Sequence, residues 1–168
     1  MIATILSFVI IAVYTVAMCI VGGGIPRSLS ATVFDISPKY SWIWTAVIGT
    51  AAFLVMPPFI ESTSRETQPL AFIACAALLF VAVTPLVKVK DDIAYHIHMT
   101  AAVVCAVSSQ LAVAINQPLL LLGWSPWLVC FIYSLTDFDQ WQTKAFWAEM
   151  TCFALTFAVP LIYYHERT

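Results

Sequence analysis

Few polar or ionisable residues interrupt the long apolar runs of this chain, and each is costly in hydrocarbon unless a partner satisfies it. The densest group is Lys88-Val89-Lys90-Asp91-Asp92-Ile93-Ala94-Tyr95-His96-Ile97-His98. Its residue types suit proton handling, a metal ion or a lipid headgroup. Asp92 and His96 are four apart, as are Asp91 and Tyr95, so each pair shares a helix face. His96 and His98 are two apart and point about 200° from each other on a helix, so they cannot share one ion. The acidic pair equally suits a plain helix start, where the positive end of the helix dipole favours carboxylates.

Two partly polar seams continue along the same helix, through Thr100 and Gln110 on one face and Cys105 and Ser109 on the other. At that depth Gln110 and Ser109 should hydrogen-bond a neighbouring helix or line a pathway. Glu149 is the second centre of interest, about one turn inside the last apolar run, among Trp147, Met150 and Phe153. Held at depth, it is a proton carrier or a partner for His96 or His98. Reaching water, it is a plain interfacial carboxylate. The candidate functional cluster is therefore Asp91, Asp92, His96, His98, Gln110 and Glu149, with no catalytic, cofactor-binding or metal role assigned to any of them. The sequence has no phosphate-binding glycine loop, no serine nucleophile elbow and no HExxH.

The elements that must position these residues are apolar helices. A spanning helix needs about 20 apolar residues, and the runs 2–21, 42–60, 70–87, 93–115, 119–135 and 145–164 qualify or nearly do. The fold class is all-α: one integral membrane domain, 1–168, built as a polytopic transmembrane helix bundle of about six spans. The fifth is short, with Gly123 and Pro126 inside it, and should be kinked or partly re-entrant. Pro57-Pro58, Pro85 and Pro160 predict further kinks or frayed ends. Between Gly22 and Ser41, apolar residues at 29, 33 and 36 fit a short helix lying in the interface or an ordered loop. Trp42, Trp44, Trp141, Trp147, Tyr163 and Tyr164 sit at run ends, where amphipathic rings anchor at an interface.

Composition agrees. Of 168 residues, 62% are hydrophobic and 10% charged, against about 25% charged in soluble domains, so the apolar surplus must face lipid. A net charge of -2 argues against a nucleic-acid partner, which needs a basic stripe. The five cysteines sit singly in apolar runs, as small hydrophobes do. Arg27, Lys39, Lys88, Lys90 and Lys144 fall on one side of six spans, Arg65 and Arg167 on the other. That bias puts the odd loops in the cytoplasm and both termini outside, in a bacterial inner membrane. The partners are the bilayer itself and a second copy or another membrane protein, met through faces of small residues.

The stretch His96-Ile-His-Met-Thr-Ala101-Ala102 resembles the pattern of small uncharacterised six-span families such as the Frag/DRAM/Sfk-like membrane proteins. Gly-Ile-Pro-Arg-Ser-Leu-Ser-Ala-Thr after the first run resembles loops of bacterial and prophage membrane proteins. A hydrolase of the alkaline ceramidase kind would need three histidines near one membrane face and a seventh span; only two of the three histidines here are suitably placed, so no catalytic residue is carried over. The expected role is a non-enzymatic structural, accessory or partner-binding membrane component, without a cofactor. The alternatives are a small transporter or channel with a polar pathway along span four, and a lipid-modifying enzyme using Asp91, Asp92, His96 and His98.

Overall fold

The first apolar run folds as α1, Ile2–Val21, and ends where three glycines begin. Gly24 N–H donates to Cys19 O (2.9 Å) and Gly23 N–H to Ile20 O (3.3 Å), the bond pair of a Schellman motif. Gly23 has φ 69°, the one positive φ among the described residues, and a side chain there would meet open space. The cost of a Cβ is therefore purely conformational, about 1–2 kcal/mol. Gly23→Ala should lower unfolding stability in detergent by that amount, with Gly24→Ala close to neutral. Equal melting temperatures for wild type and Gly23→Ala would refute the assignment.

The computed structural model describes residues 1–84, 93–134 and 142–167. α2 is Trp42–Glu61, α3 Gln68–Val83, α4 Ile93–Asn116, α5 Ser125–Ser134 and α6 Lys144–His165. Three short 3-10 segments join them: Ser30–Phe34, Pro38–Tyr40 and Pro118–Trp124. Among the described residues the fold is an all-α helical bundle. α2 runs through Pro57 and Pro58, and α6 through Pro160. Pro69 falls in the first turn of α3, where a missing N–H costs nothing. α3 stops at Thr84 (φ -114°, ψ 73°), as the residue before a proline is steered out of the α region.

α1 to α4 pack in sequence, each on the next, and α6 closes back against α1, α2 and α4. Ser7 Oγ donates to Ala51 O (2.8 Å) while Tyr14 meets Trp44 edge-on, so α1 and α2 run in opposite directions. Thr45 Oγ1 to Ala82 O (2.8 Å) ties α2 to α3. Buried alanines at 51, 52, 71, 74, 82, 101 and 112 let the backbones approach, the usual device of bundles without a hydrophobic drive between helices. At the opposite end Asn116 accepts from Ser64 N–H (2.7 Å) and donates to Thr67 Oγ1 (2.8 Å).

α1, α2, α4 and α6 are each long and apolar enough to cross a membrane. α3 and the run Pro118–Ser134 are shorter apolar helices. The latter begins as seven residues of 3-10 helix and continues as ten of α. Because a 3-10 helix rises about 2.0 Å per residue against about 1.5 Å, the contour reaches about 29 Å. The segment packs on α4 and α6. Gly123 permits this, since a Cβ there would lie 2.6 Å from Leu155 Cδ2.

The apolar spacing at 29, 33 and 36 is used, but not to lie on lipid. Leu29 (1% exposed) and Val33 (7%) insert into the end of the bundle. Trp44 is likewise no interfacial anchor: it is 2% exposed and its indole N–H points at Val81 O (3.4 Å). Trp42 and Trp147 are exposed. Tyr164 donates to Glu61 at the far end (2.7 Å). Trp141 and Pro85 lie outside the described residues.

Candidate functional site

The Gly22–Ser41 connection folds over the end of the bundle as a cap. Tyr14 and Thr32 hydroxyls pair at 2.8 Å, and Thr32 Oγ1 donates to Leu29 O (2.6 Å). Phe146 N–H, in the first turn of α6, donates to Arg27 O (3.1 Å). That satisfies one of the donors a helix start leaves open, since Thr143 gives α6 no side-chain cap. Glu149 lies one turn further in. Its Oε2 accepts from Leu29 N–H and its Oε1 from Ser30 Oγ (3.3 Å). The carboxyl group is thus held by a loop 120 residues away in sequence.

Beneath the cap lies a cavity of about 210 Å³, partly open to the outside, between α2, α3, α4 and α6. Leu29, Ser30 and Glu149 line its capped end, and Trp124 lines it too. The walls are mostly apolar and include the thiols of Cys75, Cys105 and Cys152. For scale, a dry apolar cavity of about 150 Å³ accepts benzene.

The other candidates fall elsewhere. Gln110 is a hub of helix contacts: its Oε1 accepts from Trp124 Nε1 (2.8 Å), and its Nε2 reaches Cys152 O and Thr156 Oγ1, both at 3.3 Å. It is the glue between α4, α6 and the 3-10 segment. Ser109 lines the cavity and approaches Cys152 Sγ (3.5 Å). His98 is 1% exposed, and its Nδ1 meets Thr84 O, the carbonyl set free where α3 stops. His96 turns outward into an open apolar groove between α3 and α4, with Thr100. The two histidines therefore diverge, as their spacing requires, and neither hydrogen-bonds Glu149. Asp91 and Asp92 lie outside the described residues.

No family model matches this sequence, and no curated protein or solved structure matches it. Function is therefore read from the cavity and its cap alone. Sequence reasoning singled out Glu149 but not its partners. Leu29 contributes a backbone N–H, which has no side-chain signature, and Ser30 looked like a loop residue. Trp124 carried a usable signal: an indole N–H inside an apolar run must find an acceptor, and Gln110, deep in the preceding run, is one such acceptor.

Proposed function

We propose that this chain is a multi-pass integral membrane protein that works by binding, with the cavity under the cap as its binding element. Membrane residence is supported by the exposed apolar faces, for example Phe8, Val13, Val16 and Ile20 on α1 and Val103, Val107 and Ile115 on α4. A water-soluble surface does not carry apolar area on that scale. We place it in a bacterial inner membrane with the connections before α2 and α6 in the cytoplasm and both termini outside, following the cationic bias.

The cavity is the observation that carries the binding role. Ligand sites are concave and mostly apolar with a few polar groups, and this partly open space of about 210 Å³, apolar apart from Glu149 and a few small polar side chains, has that character. Several deep polar side chains, in contrast, are engaged in holding helices together: Gln110, His98 through Nδ1, and Ser7 each bond a neighbouring element, while Thr4 Oγ1 and His98 Nε2 have no partner among the described residues. This favours a binding component over a polar conduit along α4.

The test uses the full chain in neutral-lipid nanodiscs, with benzyl alcohol as an uncharged probe and the fluorescence of Trp44 and Trp124 as the readout. Saturable binding is expected, lost in Ala102→Phe, which puts a ring into the cavity wall. Binding that never saturates, or that is unchanged in Ala102→Phe, would remove the cavity from consideration. Release of the chain from membranes by an alkaline carbonate wash would remove the integral assignment.

A further inference from the structure

The cavity has an electrostatic asymmetry that narrows what it takes. Its capped end is lined by Glu149, whose Oε2 accepts from Leu29 N–H and whose Oε1 lies within reach of Ser30 Oγ; an ammonium group beside it would hold the carboxyl group ionised. Among the described residues no Lys, Arg or His pairs with it; its polar contacts are with Leu29 and Ser30. The remaining walls include five aromatic residues: Trp44, Phe59, Trp124, Phe153 and Phe157. A carboxyl group with no cationic partner among the described residues, lining a space walled by aromatic rings, is the chemistry that suits an organic cation. Ring quadrupoles attract ammonium groups, aromatic cages are the common device for binding them, and tryptophan is the best donor of that attraction.

From this arrangement we infer that the occupant is an organic ammonium with an apolar body, its cationic head at Glu149 and its body among the rings. The inference rests on the cavity being a binding element and adds the class of ligand. The volume sets the scale: about 210 Å³ exceeds the about 150 Å³ that holds a benzene ring. The ligand body, or the part of it that enters, is a single ring or a short alkyl chain. Two features exclude other classes. An anion would face an ionised Glu149 in a low-dielectric space, where like charges repel strongly. A polar neutral ligand would find few partners on walls of this composition.

The experiment compares benzylammonium, benzyl alcohol and benzoate, which share one ring and differ in head group. Each is titrated against the full chain in neutral-lipid nanodiscs at pH 7.5, read by tryptophan fluorescence and by calorimetry. Wild type should bind benzylammonium at least tenfold more tightly than benzyl alcohol, and benzoate most weakly. In Glu149→Gln that ratio should fall to about one. Tyr14→Phe loosens the cap by removing the Tyr14–Thr32 bond but leaves the carboxylate, so it should keep the tenfold ratio. If Tyr14→Phe loses the ratio as well, cap integrity rather than charge sets the preference and the assignment fails. Equal binding of alcohol and ammonium by wild type, or a preference that survives in Glu149→Gln, would also overturn it while leaving the cavity as a binding element. Absence of binding by all three probes would overturn both.

Discussion

Glu149→Ala should release the cap from the end of the bundle. Leu29 is 1% exposed, so its N–H has no water to turn to once the carboxylate is gone. Removing an acceptor from a buried donor costs about 1–3 kcal/mol, and hydrogen bonds to charged groups are worth about 1.5–3 kcal/mol. Relief of the desolvated carboxylate offsets part of this, leaving a net loss of about 2 kcal/mol. Glu149→Gln keeps an acceptor oxygen and should lose about half as much. Denaturant unfolding in detergent measures the loss. Limited trypsin digestion reads its location, because Arg27 is exposed at the start of the cap and its carbonyl anchors Phe146. Cleavage after Arg27 should accelerate in Glu149→Ala and change little in Glu149→Gln. Unaltered stability together with an unaltered cleavage rate in the alanine variant would mean the clamp contributes nothing.

Gln110→Leu should have the second largest effect, at the middle of the bundle rather than its end. One side chain there serves Trp124 through its oxygen and Cys152 and Thr156 through its nitrogen. Leucine fills similar volume but leaves the Trp124 indole N–H without an acceptor. Polar contacts between helices in bilayers average about 0.6 kcal/mol and reach about 1.7 kcal/mol. Several contacts on one residue put the expected loss near the upper value. A double-mutant cycle with Trp124→Phe isolates the pair. A coupling of about 1 kcal/mol is expected, and additive losses would show that the indole bond is not what holds the Pro118–Ser134 segment to α4.

The long helices were legible because crossing length and apolar content are properties of a run, and runs are visible in one dimension. Their ends were legible where chemistry dictates a stop, at the glycines after Val21 and the Asn116-Gln117-Pro118 turn, but the third run was read through to residue 87 whereas α3 stops at Val83, before the Thr84–Pro85 step. What could not be read was direction around each helix. When a helix is apolar on every side, the pattern no longer says which side faces its neighbours. Trp44 shows the consequence: placed at the right depth, it points inward. The 29, 33, 36 spacing shows the same ambiguity, since an apolar stripe fits a bundle end as well as a lipid surface. His96 and His98 were different, because a two-residue step fixes their relative directions whatever the surroundings.

The site was half legible. Glu149 stands out as a carboxylate in an apolar run, and its apparent partners were the histidines expected at the same end. The partner that the fold supplies is a backbone N–H, with a serine hydroxyl beside it. Neither carries a pattern that links residues 29 and 30 to residue 149. The cavity has no sequence signature either, being the space left where four helices meet.

The long sequence separation of the Glu149 clamp has a consequence for how the chain is made. At about 5–20 residues per second, roughly ten seconds of synthesis separate Leu29 from the carboxylate that receives its N–H, 120 residues later. Throughout that interval Arg27 O lacks its Phe146 donor as well. The cap can settle only after the last helix is in place, so a nascent chain displays Leu29 and Val33 uncovered to whatever machinery attends it. Closure of the cap thus reports one event in synthesis, the arrival of α6 beside the loop that precedes α2.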